Sequence, residues 1–197
     1  MSEPVGTPLP QPLPLKNALI ITVLLFIVAM LVGWIGTAHT PAIGEQIMAL
    51  FQKEVAGQIT VDNPADMCAK LLANNLEACI MLFLGGASFG IITLFILGLN
   101  GVVIGSVTEI VSQGHSAAFI AAALLPHGIF EIPAFIIAGA LGFCMAQSLI
   151  AEWYGAGDTG EDAKNYGRLF LLYVLPLICI AAVVEAFITP AVIHLVA

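Results

Sequence analysis

The sequence predicts an all-α, polytopic transmembrane helical bundle of four or five full spans plus a broken or re-entrant half-helix. Three observations point there. Of 197 residues, 60% are hydrophobic and only 9% are charged, where an ordinary soluble domain is about 25% charged. The apolar residues fall in blocks long enough to cross a hydrocarbon core of about 30 Å. Prolines and Gly or Asn-Gly pairs interrupt these blocks where one straight helix would outrun that thickness. Five Lys plus Arg against thirteen Asp plus Glu give a formal charge of -8 with no basic run, so the electrostatic footprint of nucleic-acid binding is missing.

Residues 1–17 hold Pro4, Pro8, Pro10, Pro12 and Pro14 without apolar periodicity, which predicts a disordered Pro-rich tail ahead of a transmembrane domain over 18–197. Residues 18–36 are uncharged and longer than the about 7–15 apolar residues of a signal peptide, so they form a first true span. From His39 to Asp66 the chain is polar. Ile43, Ile47, Leu50, Phe51 and Val55 keep helical spacing inside it, predicting a short amphipathic helix from Gly44 to Val55 on the membrane surface.

The apolar stretch from Cys68 to Gln113 exceeds one span. It is divided as 68–98 and 100–125 at Asn100-Gly101, or alternatively by a turn at Gly85 to Gly90. A second block, Ser116 to Ile150, would measure roughly 52 Å at 1.5 Å per residue. The predicted break leaves a half-helix to Leu124 and starts a fresh span, 126–150, at Pro126, because proline suits the first turn of a helix. The last span covers 169–193 after a polar loop from Glu152 to Arg168. Small residues in Gly86-x-x-x-Gly90, Gly101-x-x-x-Gly105 and Gly139-x-x-Gly142 allow close helix approach, either within the chain or across a homodimer. Cys68, Cys79, Cys144 and Cys179 form no C-x-x-C pair and read as packing residues.

Ionisable groups at membrane depth are costly and mark functional sites. Glu77, His127 and Glu185 each fall roughly 12–15 Å from the end of an apolar block, and Glu131 lies one helical turn after His127. Asn74, three residues before Glu77, shares its face and could orient a carboxylate or a bound water. Pro133 removes the donor for the carbonyl of Ile129 beside them. His39, His115 and His194 fall in loops or near a helix exit, Glu109 near a helix end, and the acidic residues from Glu152 to Asp162 in a solvated connection.

The order Asn74-Asn75, Gly86-x-x-x-Gly90, Asn100-Gly101-x-x-x-Gly105, Pro126-His127-Gly128-x-x-Glu131-x-Pro133-Ala134 and Glu185-Ala186 before Thr189-Pro190 resembles the stage II sporulation protein M family, an integral membrane family. The resemblance runs from Cys68 to Pro190, and Pro-His-Gly-x-x-Glu is its most specific part. It implies a multi-spanning bundle and, by its namesake, a non-catalytic scaffold acting with peptidoglycan hydrolases during engulfment, although no surface for such a partner is written in the chain.

Three chemical readings stay open. His127, Glu131, Glu77 and Glu185 could form a self-satisfied hydrogen-bond clamp with some carboxyls protonated. They could bind a divalent cation, Zn²⁺ first, since three carboxylates and one imidazole leave a surplus of negative charge that a metal neutralises. Glu131 and Glu77 would then serve catalysis, activating water for hydrolysis or hydration of a small or lipidic substrate. Or the group could carry protons or cations across the cell membrane, the localisation expected for a multi-pass protein. Walker A and H-E-x-x-H signatures are absent.

Overall fold

The computed structural model describes residues 13–54 and 63–195. Most of the predicted Pro-rich tail and Val55 lie outside them. Among the described residues the chain is all-helical, and five helices are long and apolar enough to cross a membrane. They are α1 (Leu15–His39), α3 (Pro64–Leu84), α4 (Ile91–Ser112), α5 (Ala117–Trp153) and α6 (Thr159–His194), with the shorter α2 (Pro41–Glu54) between the first two.

α1 and α4 lie side by side in the same direction. Gly33 abuts the Val102 backbone, Gly101 meets Ala29, and Gly105 meets Met30 and Trp34. Ser106 Oγ donates to the Gly33 carbonyl at 3.2 Å. A Cβ at Gly33 or Gly105 would overlap backbone atoms of the other helix, so only glycine permits this approach. The small-residue faces that could have formed a dimer seam are therefore occupied inside the chain. α2 closes the same end, with Gly44 buried against Thr37 and Ile110. It thus packs on the ends of α1 and α4 as well as carrying an amphipathic sequence.

The division of the third and fourth helices falls at the glycine turn, and not at Asn100-Gly101. A 3-10 turn over Gly85–Ser88 leads into Phe89 (φ 56) and Gly90 (φ 84), both left-handed. Ser88 Oγ donates to the Gly85 carbonyl at 2.6 Å and accepts from Ile92 N–H at 2.9 Å, while Thr93 Oγ1 donates to the Leu82 carbonyl at 2.9 Å. These bonds satisfy backbone groups that lipid would leave unpaired. Gly86 and Gly142 bring this turn against α5. Asn100-Gly101 stays helical because Asn100 Nδ2 bonds the Ile96 carbonyl at 2.8 Å and Gly101 is needed against α1. The expected spans 68–98 and 100–125 become α3 and α4.

α5 is the central post and runs unbroken for 37 residues, about 55 Å at the usual rise. The expected restart at Pro126 is absent: Pro126 and Pro133 both lie inside this helix. A proline removes one N–H and crowds one carbonyl, but membrane helices absorb such losses through neighbouring helices. The lower half of α5, from Ala134 to Ala146, is nearly all buried, meeting Cys79 and Leu82 of α3, Phe26 of α1, Leu97 of α4 and Phe170, Val174 and Ile178 of α6 in one core.

The last span begins ten positions earlier than the expected 169. Asp158 caps it, its carboxylate accepting from Glu161 N–H at 3.0 Å, and Glu161 and Asp162 occupy the first turn, where acidic groups complement the helix dipole. Ser148 Oγ donates to Asp162 Oδ2 at 2.7 Å and ties this polar start to α5. Outward-facing Ile20, Leu24, Val28, Leu31 and Val32 of α1 and Leu171 and Leu172 of α6 give the bundle an apolar belt, as lipid contact requires.

Candidate functional site

His127 and Glu131 sit one turn apart on α5, whose start is fixed by Ser116 Oγ accepting from Phe119 N–H at 3.2 Å. Glu185 arrives from α6 within a π turn, Val184–Ile188. Two π turns interrupt α6, the other being Phe170–Val174, and each ends two residues before a proline, Pro176 or Pro190. Proline cannot donate to the carbonyl four residues back and its ring crowds that oxygen. Widening the turn by one residue relieves the crowding, and π turns of this sort recur at functional sites. At the second, both the N–H and the Oγ1 of Thr189 bond the Val184 carbonyl, the latter at 3.3 Å.

The result is a three-residue group. His127 Nε2 lies 3.6 Å from Glu185 Oε2 and 4.0 Å from Glu131 Oε2. One ligand-capable atom from each residue lies within 4.8 Å of the other two. The side chains are mostly withdrawn, at 13%, 17% and 26% exposure for His127, Glu131 and Glu185. His127 Nδ1 is buried and has no hydrogen-bond partner among the described residues. Cys79, wholly buried on α3, lies within electrostatic reach of Glu131.

Glu77 and Asn74 do not join this group. The inward face of α3 consists of Leu71, Asn75, Cys79 and Leu82. Glu77 stands two residues from both Asn75 and Cys79, about 200° around the helix from each, and is exposed, as is Asn74. Depth along α3 groups Glu77 with the others, but helical phase turns it to the outside. The residues that α3 turns toward the core, Asn75 and Cys79, were legible from the same phase, because they continue the stripe begun by Leu71. His39, His115 and Glu109 lie away from the group, Glu109 accepting from Ser112 Oγ at 3.3 Å and Gln113 Nε2 at 3.4 Å.

An α-helical membrane protein with an imidazole and two carboxylates facing one another inside the bundle is the class that fold and site define. The chain belongs to the stage II sporulation protein M family, whose family model matches residues 22–190. The match starts inside α1, so the shared unit includes the helix pair formed by α1 and α4. Two uncharacterized proteins of Methanocaldococcus jannaschii are similar to it. One is 28% identical over 180 residues, spanning 89% of this chain and 96% of the relative. The other is 27% identical over 191 residues, spanning 92% of this chain and 85% of the relative. No solved structure matches.

Proposed function

We propose that this membrane protein binds a divalent cation of the Zn²⁺ class through His127, Glu131 and Glu185, in the cell membrane. The convergence of the three ligand-capable atoms within 4.8 Å carries the reading. Separations of 3.6 and 4.0 Å are too long for N–H···O bonds of about 2.7–3.2 Å. Two ligands each about 2.1 Å from one tetrahedral ion stand about 3.4 Å apart, near the shorter of the two. Imidazole nitrogens and carboxylate oxygens are both ligands of Zn²⁺, so one ion set among the three side chains would engage all of them and offset the burial of the carboxylates.

Three protein ligands leave one position of a tetrahedral ion for water or substrate, the pattern of catalytic zinc sites, while structural sites close all four. Bound water at that position supports hydrolysis or hydration of a small or lipidic substrate as the reaction class. In this reading Glu131 would both hold the ion and accept a proton from that water, a role that Glu77, exposed on the outer face of α3, does not share.

Elemental analysis of the detergent-purified chain tests the binding directly. Stoichiometric zinc in the natural protein and its loss in His127→Ala are the expected results. Substoichiometric metal in the natural protein, or retention by His127→Ala, overturns the proposal.

A further inference from the structure

Among the inward residues of α3, Leu71, Asn75, Cys79 and Leu82, one carries an amide. Asn75 is only 7% exposed, yet its side chain makes a single hydrogen bond among the described residues, the 3.5 Å one that Oδ1 accepts from Asn74 Nδ2. Asn75 Nδ2 donates to none of them. Buried polar groups without a partner are rare, and each calls for an explanation. α3 packs against α5 and against the π turn that carries Glu185. α3 and α5, separated by one crossing, run in the same direction and touch at Leu82 and Gly142. Back from that contact at 1.5 Å per residue, Cys79 lies about 5 Å along α3, Asn75 about 10 Å along α3 and Glu131 about 16 Å along α5. Cys79 is already within electrostatic reach of Glu131, and Asn75 stands one turn closer to its level.

We infer that Asn75 is a ligand-binding residue of this site, donating from Nδ2 to an oxygen of the molecule at the open position of the ion, so that the site takes a carbonyl or carboxylate compound. The inference rests on the metal reading of His127, Glu131 and Glu185. An amide nitrogen only donates, so its partner is an acceptor, and a hydrocarbon chain alone would leave it unsatisfied. Neither carboxylate of the group bonds Asn75, which leaves the acceptor to come from outside the described chain. A carbonyl or carboxylate oxygen has two lone pairs, one for the ion and one for the amide. A donor fixed beside a metal-bound oxygen also stabilises negative charge that gathers there.

The full chain loaded with Co²⁺ in detergent tests this, read through the visible absorption of the metal. Two probes are titrated: acetohydroxamate, which binds a metal through oxygen, and ethanethiol, which binds through sulfur, a weak acceptor. Asn75→Leu removes the donor at similar volume, and Asn75→Ala removes it without overpacking. Both variants are expected to keep the Co²⁺ and the ethanethiol affinity of the natural chain. Their dissociation constant for acetohydroxamate should rise about tenfold or more, the loss of one hydrogen bond to a charged group. If only one variant retains Co²⁺, that one decides. Unchanged acetohydroxamate affinity, an equal loss for both probes, or loss of Co²⁺ from both variants would each overturn the inference. A natural chain that takes up Co²⁺ but no acetohydroxamate overturns it alone, whereas one that takes up no Co²⁺ overturns the metal reading and this inference with it.

Discussion

Glu185 stands 3.6 Å from His127 because a π turn, and not a regular helical turn, presents it. The turn exists because Thr189 is followed by Pro190, and Thr189 bonds back to the Val184 carbonyl. Replacing the proline restores an N–H at position 190 and lets α6 wind regularly. Pro190→Ala is expected to keep the fold while rotating Glu185 away from His127. Isothermal titration should show weakened zinc binding although all three ligands are present; unchanged affinity would show that the π turn has no part in the site.

Loss of a ligand is expected to act more strongly than loss of its support. Outer-shell changes at metal sites lower affinity about 10–100-fold. Glu185→Gln, which removes the charge and keeps the volume, should exceed that range in a competition assay with a chromogenic chelator. Glu77→Gln should leave zinc affinity unchanged, since that side chain lies on the outer face of α3.

Metal binding that favours the folded state raises stability by mass action, about 2.7 kcal/mol when free ligand is a hundred times the dissociation constant. Thermal unfolding in detergent micelles should shift upward with added zinc and return on adding a chelator. The His127→Ala variant should show neither shift, and an equal shift in that variant would place the binding elsewhere.

The contact between α1 and α4 tolerates no side chain at its centre. Gly105→Val would drive a Cβ into the Met30 carbonyl. It is expected to destabilise the bundle by at least about 1–3 kcal/mol, the usual penalty for overpacking. Gly36→Ala on the same α1 meets nothing within 4 Å and should unfold at the same denaturant concentration as the natural chain.

At the turn between α3 and α4, Gly90 holds φ 84 with Phe143 close to where a Cβ would stand. Gly90→Ala should lower stability by about 1–2 kcal/mol, the price of a left-handed L-residue. Phe89→Gly, at φ 56 with an exposed side chain, should be tolerated. Equal losses at both positions in a guanidine or SDS titration would contradict this account of the turn.

The membrane class and the all-helical fold were legible because hydrophobic runs of span length have few other uses, while the number of full spans stayed open between four and five. The pairing of His127 with Glu131 was equally plain, since residues four apart share a helical face whatever surrounds them. Other local signals were masked by composition. Asp158 followed by Glu161 is a cap for α6, hidden because polar residues around it resemble a loop. Pro126 suggested a break, yet α5 continues through it as well as through Pro133, as its neighbours supply the packing that isolated sequence cannot display.

By itself the sequence determined that this chain lives in a membrane, that its helices carry ionisable groups at depth, and which of them share a helix. Only the tertiary structure decided which groups meet. Depth follows from counting residues along one helix, but facing depends on helical phase and on how separate helices rotate against one another. That rotation is set by glycine contacts such as Gly33 on Val102 and Gly86 on Gly142, and by the π turn before Pro190. Those contacts turn Glu185 inward to His127 and leave Glu77, at a similar depth by count, on the outer surface.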